Sequence, residues 1–351
     1  MAIGSQHQGC YTRAMHCHLL IPGLRPPRPM RHEIDSALRL PALQTLLSRG
    51  EQTEASTGDS SEWLCRTFGI AKQQDWPVAP ITLRADGIEP GQHYWLRTDP
   101  IYLRVSRDRL IVTDSQSFSL SQTEAKTLTG ILNQHFASDG MKFFSPSPDR
   151  WYLRLDQAPA LETQPLGKAA GGYMDDHLPS GKDARHWRTT INEIQMLLHE
   201  HPVNLAREER GEMPINSAWL WGGGRLAEKP RSPFAAIWAN DALARAFSQA
   251  SNTPCATLPE NAYAWLGATK NSGTSLIVLD HLDSPCHYGD IHAWTAAAQE
   301  LEHAWFAPLK QALAKGQLES ITQHAPSAQG AIEVRVDRKS LWKIWRRRKI
   351  W

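Results

Sequence analysis

The chain has 351 residues, 41% of them hydrophobic and 21% charged, which is enough apolar material for a sizeable core and excludes a disordered chain. Its net charge of +2 hides an imbalance: from Arg338 onward there are seven basic residues and no acidic one, which leaves 31 basic against 36 acidic residues in the body. A nucleic-acid reading can rest only on that tail, and no apolar run reaches the roughly 18–20 residues that span a bilayer. The N-terminal stretch lacks a secretory hydrophobic region followed by a small-residue cleavage site, so a cytoplasmic location is expected. The cysteines, Cys10, Cys17, Cys65, Cys255 and Cys286, are odd in number and show no CxxC spacing. That pattern predicts reduced, mostly buried thiols, not a disulfide framework or a zinc ribbon.

Residues 17–21 predict a short buried strand, stopped by Pro22-Gly23. A helix follows from Pro41, with Leu43, Leu46 and Leu47 on its apolar side and Gly50 as its stop. Residues 50–62 read as a mobile surface loop. Two β-rich runs over 93–114, joined by Ser106-Arg107-Asp108, predict a hairpin. Ser121 caps a helix reaching about Phe136, and Glu124 completes a capping box. A further strand is expected at 151–155, so that 76–160 reads as an inserted α+β subdomain of order ββαβ.

The Gly- and Pro-rich residues 161–182 read as a linker. A helix over about 184–199 then carries Trp187, Ile191, Ile194, Leu197 and Leu198 on one face. A strand at 217–221, broken by Gly222 to Gly224, precedes a helix at about 240–250 and a fully buried type of strand at 275–280. A helix over about 291–313 has Trp294, Ala298, Leu301 and Trp305 in register, and 332–336 is the last strand. Strands alternating with helices predict an α/β fold, a mostly parallel sheet covered by helices on both faces. Its core is divided between residues 1–75 and 183–336, and 337–351 is a basic, Trp-rich tail.

Ligands of an open α/β sheet gather beyond the carboxyl ends of its strands. After the 275–280 strand, Asp283 and His287 stand four apart, a carboxylate and an imidazole suited to zinc or manganese. The competing reading is a loop whose polar groups bond one another and cap the next helix. Gly222, Gly223 and Gly224 allow close backbone approach to an anion, or else form a tight turn between core tryptophans; they match neither a P-loop nor a Rossmann fingerprint. His199 and His201 are two apart and end at a proline, which is not HExxH and reads as a helix end. Strand alternation puts His16 and His18 on one face and Cys17 on the other, against a shared metal. There is no GxSxG or other nucleophile motif, and hence no catalytic residue to name.

The run His201-Pro-Val-Asn204-x-x-Arg207, then Gly211, Pro214-x-Asn216 and Trp221-Gly-Gly-Gly224, resembles the archaeal-type cofactor-independent phosphoglycerate mutases. So do Asp283-x-x-x-His287-x-Gly289-Asp290, the 41–50 helix and the 93–155 stretch. The chain also resembles a bacterial group of RpfE-type regulatory proteins. That likeness is carried by Trp95-Leu-Arg-x-Asp99-Pro100, Arg107-Asp108, Asn216-Ser-x-Trp-Leu-Trp-Gly and the Leu341-Trp-Lys-Ile-Trp-Arg-Arg ending. The resemblance implies an alkaline-phosphatase-like core, with two metal ions held by Asp and His ligands, an N-terminal Asp and a Ser or Thr nucleophile. This chain departs from it. Pro22-Gly23 replaces Asp-Gly, Gln323-His324 replaces a late Asp-His pair, and Ser36 is the nearest hydroxyl to a nucleophile.

The resemblance and these departures together imply a regulatory, metabolite-binding pseudoenzyme with Asn204, Arg207, Asn216 and Gly222 to Gly224 contacting a phosphorylated metabolite. Asp283 and His287, with His324 the weakest candidate, would hold no metal or a single divalent ion, Mn or Zn. The alternatives are an active phosphomutase or phosphatase with a reduced metal site, and an interaction protein working through its tail on a protein partner or an acidic surface, since a basic, Trp-rich segment fits an interfacial membrane helix, a nucleic-acid contact or a docking peptide for an acidic partner. In the tail, Trp342, Ile344, Trp345 and Trp351 interleave with Lys343, Arg346, Arg347, Arg348 and Lys349. The expected arrangement is tryptophans packed on the body with the cations in water.

Overall fold

The computed structural model describes residues 15–34, 38–55, 58–269, 273–327 and 330–346. Ser36 and Trp351 lie outside them. Twelve strands form two sheets among these residues. The strands are β1 (Met15–Leu20), β2 (Glu51–Ala55), β3 (Tyr94–Ser106), β4 (Arg109–Thr113), β5 (Met141–Ser147), β6 (Arg150–Leu155), β7 (Ser217–Gly224), β8 (Ala236–Trp238), β9 (Cys255–Ala256), β10 (Gly273–Val278), β11 (Ser320–Ala325) and β12 (Ala331–Asp337).

The larger sheet has the order β2-β12-β11-β1-β10-β8-β9. It is parallel from β11 to β9 and antiparallel at the β12 and β2 edge. Its two faces are both covered. Leu20, Ile237, Leu276 and Val278 share one core with the helices Ser60–Thr67 and Ala242–Ser251. Cys17, Leu19 and Ile277 share the other with the helices Pro41–Arg49, Ile291–Leu301 and Ala307–Ala314. Period-two alternation assigns each strand residue to a face, and both faces are apolar because both are covered. The α/β architecture read from the sequence is therefore the one observed.

The second sheet is antiparallel. β3 pairs with β7 along one edge, and with β6 and β4 along the other. All five of its strands fall between β2 and β8 in the chain. The hairpin at 106–109 turns through Arg107 at φ 58°. Ser121 and Glu124 form the predicted capping box at the start of the Gln122–His135 helix.

Four expectations are corrected. Residues 217–221 do not join the parallel sheet: β7 pairs with β3 and runs on through Gly224, so the second unit extends well past 160. Residues 161–182 are not a bare linker, because Leu161, Leu166, Ala169 and Met174 are buried in the core shared by the two sheets. Residues 50–62 are not a loop throughout. β2 completes the backbone pairing of β12, and Asp59 caps the Ser60–Thr67 helix by accepting from the amides of Ser61 and Glu62. Finally, the 291–313 helix passes through a π turn at Glu302–Phe306. There the buried Glu302 carboxylate accepts from the amides of Ala42 (2.6 Å) and Leu43 (3.0 Å), so it satisfies the start of the Pro41–Arg49 helix. No helix among the described residues is long and apolar enough to cross a membrane.

Candidate functional site

A cavity of about 380 Å³ opens beyond the carboxyl ends of β1, β8, β10 and β11. Pro22 and Gly23 border it from the end of β1, Asp241 from the turn after β8, Asp283 and His287 from the turn after β10, and Pro326 from the end of β11. Gly23 has φ +72°, and a Cβ there would lie 2.2 Å from the Leu282 carbonyl oxygen, so the β1 and β10 loops meet only through a glycine. The segment expected to be a linker forms another wall through Pro165, Lys168 and Gly171. Gly171, at φ +74°, allows contact with the His287 carbonyl, 2.3 Å from where a Cβ would stand.

Asp283 Oδ1 lies 3.6 Å from His287 Nε2 within one helical turn. Asp290 caps the next helix by accepting from Ala293 N at 2.9 Å, as the reading of this loop as bonded polar groups and a helix cap expects. Burial holds Asp283 above the ordinary carboxylate range despite the pull of His287, and Asp280, Asp114 and Asp59 add to the rise. Burial pushes Asp241 up to about 6, helped by the charges of Asp280 and Asp283. The cations facing this carboxylate-rich wall are Arg25 and Lys168.

Asp241 yields a pH-dependent expectation. Its folded pKa lies above its ordinary value of 3.8, so its share of stability is fully present below about 4 and lost as pH rises through about 6. Asp241→Asn keeps the side-chain oxygen that accepts from Ala244 N and removes the charge. At neutral pH the variant is expected to be more stable than wild type by roughly 1–3 kcal/mol, with the gap closing toward acid pH. Urea midpoints measured across that window check this. A gap that stays flat with pH would show that Asp241 does not titrate there.

Ser60 and Ser61 also reach this cavity, at the start of the Ser60–Thr67 helix. The Ser61 hydroxyl donates to the Asp59 carboxylate. Sequence reasoning misses these hydroxyls because 50–62 reads as a loop. The signal for them is Asp59 followed three residues later by Glu62, an N-terminal helix pattern.

Of the residues expected to hold a metabolite, all but Gly222 lie elsewhere. Asn204 is fully buried, and its amide donates to the carbonyls of Leu198 (2.6 Å) and Ile215 (2.9 Å) and accepts from Ile215 N (2.8 Å). Arg207, 1% exposed, donates to the carbonyls of Met213 and Ser119 and to Glu124. Asn216 binds both backbone groups of Leu103 and so extends the pairing of β7 with β3. Cβ atoms on Gly222, Gly223 and Gly224 would meet Val78, Tyr94 and Pro77 at 3.1, 2.4 and 2.5 Å, so these glycines serve close packing. Only Gly222 borders the strand-end region, in a side pocket of about 130 Å³ that shares Asp59, Lys168 and Trp221 with the main cavity.

His324 does not join Asp283 and His287. Its Nε2 lies 2.9 Å from His18 Nδ1 and its Nδ1 3.2 Å from Glu333. Burial and the His324 ring push His18 down to about 4. The neighbouring Gln323 is 1% exposed, and its amide has no partner among the described residues. A larger cavity, about 560 Å³, lies between the Val78–Ala85 and Ala242–Ser251 helices, but its Arg97 and Arg150 are already paired with Asp99 and Asp86.

No family model matches the chain. Over 196 residues it is 29% identical to the 2,3-bisphosphoglycerate-independent phosphoglycerate mutase of Methanosarcina mazei, covering 54% of this chain and 49% of that protein. Over 152 residues it is 26% identical to the probable 2,3-bisphosphoglycerate-independent phosphoglycerate mutase of Geobacter sulfurreducens, covering 42% and 37%. The chain is a homologue of the cofactor-independent phosphoglycerate mutases. The matched region spans about half the length of these mutases or less. A solved structure from Pyrococcus horikoshii shares the fold, with a TM-score of 0.50 at 13% identity over 93% of this chain and 88% of that one. The described residues contain no group of three His, Cys, Asp or Glu side chains arranged to hold a metal ion.

Proposed function

We propose that this chain is a non-catalytic, regulatory relative of the mutases that binds a small phosphorylated acid in the strand-end cavity. The observation that supports this is a strand-end cavity with an incomplete set of metal ligands. Pro22-Gly23 ends β1, Gln323 sits buried in β11, and Asp283 with His287 forms a pair without a third donor among the described residues. A two-metal clamp requires several anionic ligands to offset two dications. Arg25 and Lys168 provide cationic groups for a phosphate.

The test combines melting temperature with turnover. 3-Phosphoglycerate at about a hundred times its Kd is expected to stabilise the protein by about 2.7 kcal/mol, seen as a rise of several degrees. Lys168→Ala should blunt that rise, and no 2-phosphoglycerate should form with manganese or zinc present. Product formation, or two metal equivalents by mass spectrometry that an Asp283→Ala/His287→Ala variant loses, would overturn the reading. No rise in melting temperature would remove the metabolite from it.

A further inference from the structure

The C-terminal segment departs from the arrangement its sequence predicts. Trp342, Ile344 and Trp345 are 77%, 64% and 75% exposed, and so do not pack on the body. They are the largest concentration of exposed apolar side chains among the described residues. The segment is nevertheless held. Arg49 donates to the Leu341 carbonyl, Arg346 donates to the Gly50 carbonyl (3.3 Å), and Asp337 accepts from the amide and hydroxyl of Ser340 (both 2.7 Å). These bonds tie the backbone to the Pro41–Arg49 helix and to the end of β12, so the aromatic side chains project from an anchored turn.

Lys339, Lys343 and Arg346 stand among these side chains, and in sequence Arg347, Arg348 and Lys349 come next, with no acidic residue after Asp337. The rest of the chain is net acidic. Exposed indoles beside clustered cations suit the interface of a bilayer that carries anionic headgroups. Two further features select a lipid surface over other polyanions. Ile344 and, in sequence, Ile350 lie between the tryptophans and have no π face to stack on a base. The three side chains also line none of the cavities described above.

We propose that the turn at Trp342–Arg346 docks the protein reversibly on an anionic phospholipid surface, with Trp342, Ile344 and Trp345 entering the headgroup layer and the basic residues contacting headgroups. The acidic body is repelled by such a surface, so this corner is the contact and the strand-end cavity is not involved. Co-sedimentation of the full chain with phosphatidylcholine vesicles, with and without phosphatidylserine, tests this. Binding is expected only with phosphatidylserine, and it should weaken as salt rises. Trp342→Ala/Trp345→Ala keeps every cation and is expected to lower partitioning at least about ten-fold, with an unchanged melting temperature showing that the body stays folded. Three results would overturn the proposal: no sedimentation of wild type with anionic vesicles, equal sedimentation of the double variant, or tighter binding to single-stranded RNA or polyglutamate than to the vesicles.

Discussion

Arg207→Ala is expected to destabilise the protein by about 2–4 kcal/mol, because it removes a buried guanidinium that donates to two backbone carbonyls and to Glu124. Arg207 is 1% exposed, and each side of its guanidinium is used. Nε donates to Met213 O at 2.8 Å, Nη2 to Ser119 O at 2.8 Å and Nη1 to Glu124 at 3.2 Å. Glu124 is also the capping-box residue of the Gln122–His135 helix, so one cation ties that helix to the Pro202–Glu209 helix and to the approach to β7. The change leaves the Met213 and Ser119 carbonyls without their Arg207 donor, while Glu124 keeps Arg210 at 2.9 Å and Ser121. Urea unfolding followed by tryptophan fluorescence measures the loss. A variant as stable as wild type that no longer responds to 3-phosphoglycerate would return Arg207 to the ligand site.

The second large effect is expected at Asp99. Its carboxylate accepts from Arg97 Nε (2.9 Å) and Nη2 (2.7 Å) and from the Trp221 indole (2.7 Å), and both ionic partners are buried. The Arg97 guanidinium also lies over the rings of Tyr152 and Trp221, 5.3 Å from each centroid. Asp99→Ala leaves a buried guanidinium without its counter-ion and is expected to cost about 3–5 kcal/mol. Replacing both partners by apolar residues, Arg97→Met with Asp99→Leu, should recover much of that loss, since the penalty lies in the stranded charge. A double variant no more stable than Asp99→Ala would locate the cost in lost packing around Trp221. Both ionic partners stand on β3, and the Trp221 indole bond to Asp99 ties them to β7, which accounts physically for Trp95-Leu-Arg-x-Asp99-Pro100 and Trp219-Leu-Trp-Gly as a unit.

Elements with a local cause are legible in the sequence. The Ser121–Glu124 box, proline at the first turn of the Pro41–Arg49 helix, and the apolar spacing of Trp187, Ile191, Ile194 and Leu198 are all present in the structure. The region of the cavity is legible too, because ligand space in a parallel sheet lies beyond its strand ends, where Asp283 and His287 stand. The remainder depends on contacts between distant segments. Strand pairing is a non-local choice, so nothing in Ser217–Gly224 shows that it joins β3 instead of the parallel sheet. A buried Asn or Arg is the same letter whether it faces a ligand or a carbonyl. The bonds of Asn204, Arg207 and Asn216 come from segments as far away as Leu103 and Ser119, and only the fold brings those carbonyls to them. The same applies to Trp342 and Trp345. Their composition fits packing or display equally well, and the backbone anchors from Arg49 and Gly50 leave the indoles in water.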